Sequence, residues 1–107
     1  MSLSTSSRTV GDAVVLSVDG IADLSSAPRL QDALRRLIVR NPGRRIIVDL
    51  DGSISFDDVA LGLLLGAAGN ARNGGGDLEV VATDPKARAR LAATRFDQAV
   101  TVRDSIV

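Results

Sequence analysis

Hydrophobic and polar positions alternate most regularly in AVVLSVDG, Ala13 to Gly20, where Val14, Leu16 and Val18 fall on one side of an extended chain and Val15, Ser17 and Asp19 on the other. A repeat of two marks a half-buried strand. Arg8 to Val10, across Gly11-Asp12, reads as its short hairpin partner, and the polar residues 1–7 before it as a mobile arm. In DLSSAPRLQDALRRLIVRNPG the repeat lengthens to that of a helix, with Ala27, Leu30, Leu34 and Leu37 as the inward stripe and the arginines mostly outside it. Ser25 or Ser26 is placed to cap this helix, Pro28 sits in its first turn where a missing N–H costs little, and Asn41-Pro42-Gly43 ends it.

RRIIVDL, Arg44 to Leu50, is a continuous apolar run closed by polar residues, the pattern of a strand covered on both faces. A second helix is predicted from Asp58 to Arg72, stopped by Asn73-Gly74-Gly75-Gly76. DLEVVAT, Asp77 to Thr83, reads as a strand; Thr83 or Asp84 with Pro85 opens a third helix anchored by Leu91; AVTV, Ala99 to Val102, makes a last strand. Strands and helices taking turns through short connections predict one α/β domain over residues 1–107, with strands at least partly parallel.

Composition narrows the chemistry. Thirteen Lys and Arg balance thirteen Asp and Glu, so overall charge steers the chain neither to nucleic acid nor into a membrane, and Phe56 and Phe96 alone offer no base-stacking platform. With no Cys and no His there is no thiolate or imidazole for nucleophilic catalysis or metal ligation, and no metal or cofactor is expected. MSLSTSSRTV lacks an apolar signal core, and no run approaches the roughly 18 apolar residues of a membrane span, so a soluble, cytoplasmic protein is expected.

Carboxylates raise the remaining questions. IIVDLDGS resembles the first motif of haloacid-dehalogenase-type phosphotransferases, in which Asp49 would be the nucleophile and Asp51 its acid–base partner. Such a site also needs a lysine to offset phosphate charge and a second acidic pair further along. The chain has one lysine, Lys86, and Asp57-Asp58 follow too closely, so turn aspartates that satisfy loop N–H groups are the preferred reading. In SFDDVALG, Asp57 is placed to cap the second helix and Asp58 to favour its positive end. The same two carboxylates can also face a partner.

Gly62, Gly66 and Gly69 share a helical face with Val59, each at a cost of about 1 kcal/mol relative to Ala. Either close packing of helix on sheet or a shallow groove for a partner would offset that cost. Lys86, Arg88, Arg90 and Arg95 spread around their helix and read as a solvated face, while Gly74-Gly75-Gly76, which follows a helix instead of preceding one, reads as a terminator and not a phosphate loop.

GIADLSSAPRLQDAL resembles the strand-to-helix segment of the STAS domain of bacterial anti-sigma factor antagonists, where Gly-x-x-Asp-x-x-x-Ala-x-x-Leu is typical. IIVDLDGSISFDDVALG is similar to that family's buried strand and phosphorylation loop, and GGGDLEVVATDPKARARLAATRFDQAVTV to its final strand, helix and strand, so the likeness runs from Val14 to Val102. It implies a small mixed β-sheet with helices mainly on one face, no enzymatic activity, and binding to an anti-sigma factor of the ATPase-fold serine kinase type, with a homodimer left open. The family's loop usually ends Asp-Ser-Ser-Gly-Leu-Gly, and its second Ser is the phosphoacceptor. Here Asp57, Leu61 and Gly62 match the Asp, Leu and Gly, which puts Asp58 on the first Ser and Val59, without a hydroxyl, on the second. The positions carried over to the partner surface are therefore Asp57, Asp58, Val59, Leu61 and Gly62, with Asp58 a partial stand-in for phosphate at most and Ser53 or Ser55 open as substitute phosphoacceptors. A second role implied by the same resemblance is an accessory subunit of a membrane lipid or anion transporter.

Overall fold

The computed structural model describes residues 2–107. Its elements run β1 (Ser4–Val10), β2 (Ala13–Ala22), α1 (Ala27–Arg40), β3 (Arg45–Asp49), β4 (Ser53–Phe56), α2 (Asp58–Asn73), β5 (Asp77–Val81), α3 (Pro85–Ala93), α4 (Phe96–Ala99) and β6 (Val102–Arg103). The sheet is ordered β1-β2-β3-β5-β6, with β4 also on β2; β1 is antiparallel to β2 and every other pairing is parallel.

The apolar run in β3 has the place its composition implies. Ile46, Ile47 and Val48 are all 1% exposed or less between β2 and β5. Ile46 and Val48 join Val14, Leu16, Val18, Leu78 and Val80 under α1 and α2, whereas Ile47 turns to the other face with Ala13, Val15 and Val81. No helix contributes to that second cluster, which Val10 and Ile106 border, so the helices do lie on one face. Among the described residues no helix is long and apolar enough to cross a membrane.

Four features differ from the sequence reading. β1 begins at Ser4, well before Arg8, so most of the expected mobile arm is strand; Leu3 is buried, and Met1 of that arm lies outside the described residues. SISF forms β4, and Phe96–Ala99 form α4, which carries buried Phe96 and pushes the last strand to Val102–Arg103. Ser26 holds the cap position of α1 without capping it: its hydroxyl donates to the Ile21 carbonyl at 2.9 Å and accepts the Asp23 N–H at 2.9 Å. Asp23 takes up the nearby donors, and the Ser25 hydroxyl, then the Ser26 N–H, hold its carboxyl below the usual range.

Gly76 shows how tightly α2 is tied to the sheet. Its N–H donates to the Ala71 carbonyl at 2.9 Å, and a Cβ there would run into the Arg44 backbone. Replacement Gly76→Ala is therefore expected to lower the free energy of unfolding by about 1–3 kcal/mol, read from urea denaturation. An unchanged midpoint would mean that the Arg44 turn yields to the added methyl.

Candidate functional site

The start of α2 is built from the end of the sheet. β4 pairs with the last residues of β2, and the Asp57 N–H then donates to the Ala22 carbonyl at 3.0 Å, which fixes where the helix begins. The Asp57 carboxylate accepts the Ala60 N–H at 3.1 Å, as expected of an N-cap. Asp58 is the first helical residue and points into solvent, with its side chain 85% exposed. It does not stand alone: Arg90 of α3 reaches it at 2.7 Å, and the same guanidinium lies 5.8 Å from the Phe56 ring centre. An ion pair this exposed stabilises little, about 0–1 kcal/mol, but it covers much of the charge that a partner would meet.

Val59 is 38% exposed, and Leu65, one turn and a half further, is 40% exposed. Leu61 is the exception among the five positions expected at the partner surface. At 4% exposure it belongs to the core beside Leu64 and Ala68, so its side chain cannot serve a partner. The reason is helical spacing: Leu61, Leu64, Ala68 and Ala71 fall on the face turned to the sheet.

The glycines lie on the opposite face. Gly62, Gly66 and Gly69 are exposed, and a Cβ added at any of them would meet nothing within 4 Å. This removes helix-on-sheet packing as their explanation, since the small residues that allow close approach to the sheet are Ala60, Ala67, Ala68 and Ala71. What the glycines leave is a strip of bare backbone between Val59 and Leu65, continuous with a groove of about 180 Å³ between α1 and α2 that Leu34, Arg35, Ile38, Gly62 and Gly66 line.

Asp49 and Asp51 act as turn acceptors. Asp49 accepts the Asp51 N–H at 2.9 Å, and Asp51 accepts the Thr83 N–H at 2.8 Å, which ties the β3–β4 turn to the end of β5. Lys86 lines a cleft of about 450 Å³ between β4 and α3 with Asp51, Asp84 and Arg90. Ser53 donates its hydroxyl to the Ser55 carbonyl at 2.9 Å, while the Ser55 side chain is exposed. Arg95 takes a left-handed conformation, φ 60°, at the turn into α4.

The family model described as Mlab, STAS domain, matches residues 5–104. An anti-sigma factor antagonist from Mycobacterium paratuberculosis superposes with a TM-score of 0.87 at 24% identity, over 98% of this chain and 88% of that one. The anti-sigma factor antagonist SpoIIAA of Bacillus, in its unphosphorylated form, gives 0.72 at 17% identity over 95% and 89%. A sulfate transporter family protein from Wolinella succinogenes gives 0.74 at 18% identity over 92% and 83%. At these identities the likeness is one of fold. No curated protein shows a significant match.

Two substitutions separate the faces of α2. Gly66→Ala is expected to raise stability by about 0.5–1 kcal/mol, because it adds helix propensity in open space at an ordinary helical conformation. Leu61→Lys places a charge in the core and is expected to remove several kcal/mol of a total of about 5–15. Thermal denaturation of both variants checks the assignment, and it fails if Gly66→Ala lowers the midpoint or Leu61→Lys leaves it alone.

Proposed function

Since this chain belongs to the STAS-domain family, we propose that it is a non-enzymatic, protein-binding regulator that antagonises an anti-sigma factor by docking through the outer face of α2. The observation that carries this reading is the exposed strip of Val59, Gly62, Leu65, Gly66 and Gly69, where the glycines' missing side chains leave room for a partner's atoms against the helix backbone. Asp57 holds the helix start in place, and Asp58 with Arg90 forms a nearly neutral polar rim. Apolar and small contacts at the centre with polar groups at the edge are the usual anatomy of a specific interface. The partner in this reading is an ATPase-fold kinase, and its encounter takes place in the cytoplasm.

Regulation departs from the resembling antagonists. Val59 is the second residue of α2, where a phosphoryl group would add about −1.5 to −2 charge at the helix start. Valine accepts none, so a complex controlled at this position would persist in the presence of ATP, and only phosphorylation at Ser53 or Ser55 would release it. Replacement Val59→Ser is expected to introduce phosphorylation and release, seen as loss of the complex in size-exclusion chromatography after ATP addition. A wild-type complex that ATP dissolves would overturn this part of the proposal.

The Wolinella neighbour favours one alternative, an accessory subunit of a membrane transporter. Affinity capture from the native cell extract, with wild type beside the surface variants Val59→Lys and Leu65→Glu, decides between the two. Capture of an ATPase-fold regulator by wild type, reduced about tenfold or more in both variants, supports the antagonist. Capture of transporter subunits supports the alternative, and equal recovery of every partner by all three proteins removes α2 from the docking surface.

A further inference from the structure

A chain of zero formal charge hides a strong division of charge. β1 and α1 together carry five arginines, Arg8, Arg29, Arg35, Arg36 and Arg40, against one acid, Asp32, a surplus of four positive charges that the remainder of the chain balances. Asp32 is shared by Arg35 at 3.0 Å and Arg36 at 2.7 Å. Arg8 reaches only the neutral Ser17 hydroxyl, Arg29 the Leu3 carbonyl, and Arg40 has no carboxylate partner among the described residues. Arg29, Arg36 and Arg40 are spaced by seven and four, so they run along one side of α1. A cleft of about 240 Å³ separates that side from β1, with Thr5, Ser7, Leu37, Arg36 and Arg40 among its walls.

The strand beside this cleft is an open edge. β1 ends the sheet and pairs only with β2, over seven residues in unbroken register. Edge strands are commonly blunted by proline, a bulge or charged side chains. β1 has no proline, no bulge and a single charge, Arg8; its side chains from Ser4 to Thr9 are exposed, and its outer amides and carbonyls face no other strand among the described residues. A second copy of the chain is a poor occupant, because pairing at strand spacing would bring two surfaces of about +4 together.

We propose that the β1 edge, with the arginines of α1 behind it, takes up an extended acidic segment of a partner protein as an added strand. Backbone hydrogen bonds to β1 would hold the segment, and carboxylates on alternate residues would meet Arg36 and Arg40 across the cleft. This surface shares no residue with the outer face of α2, and it stands or falls separately from the function proposed above.

The test uses the whole chain and three synthetic eight-residue peptides: alternating Glu and Val, alternating Lys and Val, and the Glu–Val peptide with alternate amides N-methylated. The Glu–Val peptide is expected to bind in calorimetry, to slow hydrogen exchange of β1 amides, and to weaken as salt rises. The Lys–Val and N-methylated peptides are expected not to bind. The exposed double variant Arg36→Glu/Arg40→Glu, its fold checked by circular dichroism, is expected to lose about tenfold or more in affinity. Unchanged β1 exchange, or equal affinity for the N-methylated peptide, overturns strand addition. Protection of β1 that rises with protein concentration alone overturns it in favour of a second copy. Binding to vesicles containing phosphatidylserine, with no β1 protection by the peptide, overturns it in favour of a membrane surface.

Discussion

β2 has to hydrogen-bond three strands, and a strand has only two edges. It satisfies them by changing partner along its length: β1 occupies one edge from Ala13 to Asp19, β3 the other edge as far as Ser17, and β4 pairs from Gly20 on. Just past the change, the β2–β4 ladder shifts register between Gly20 and Ile21, beside a left-handed residue, Gly20 at φ 93°, where a Cβ would strike the Ser2 backbone. Because β4 is thereby aligned on Ala22, the next amide, that of Asp57, meets the Ala22 carbonyl, and α2 starts at a fixed point above the sheet. The direction of α2 is thus a consequence of how β2 divides its edge.

What could be read from the sequence was what burial had written into it. β2, β3, α1 and β5 carry their periods because one or both faces exclude water, and Asp57 was legible as a cap because a cap acts within three residues. β4 and the part of β1 before Arg8 went unread for the opposite reason. STSSRTV and SISF are edge segments with mostly exposed side chains, so no face selects for apolar residues and no period appears. Arg90 was unreadable as a partner of Asp58 because 32 residues separate them and only the docking of α3 beside β4 brings them together. The misplacement of Leu61 is different, because its spacing from Leu64, Ala68 and Ala71 already marked it as inward, and a match to the family's motif outweighed that signal.

The helix α2 reverses an ordinary rule. A surface helix normally keeps its best helix formers where nothing else constrains the choice. Here alanines are spent on the buried face, where they let the helix approach the sheet, and glycines occupy the open one. Three glycines at about 1 kcal/mol each forgo roughly 3 kcal/mol, a sizeable part of the about 5–15 kcal/mol that holds a domain together. Within the described residues nothing returns that energy, since the backbone at these positions faces open space. That unreturned cost is the physical ground for the docking face proposed on α2.

The two exposed surfaces would recognise partners by different physics. On α2 the exposed carboxylate of Asp58 is already paired with Arg90, so docking there would depend less on net charge than on how closely a partner fits bare helix backbone. Such a contact is weakly dependent on salt and strongly dependent on shape. On β1 and α1 the positive charges are largely uncompensated and the strand edge is open, so attraction acts at a distance of about a Debye length and fades as ionic strength rises. A domain of neutral total charge would in this way offer one face read by fit and another by field, the second following from keeping the acidic residues off β1 and most of α1.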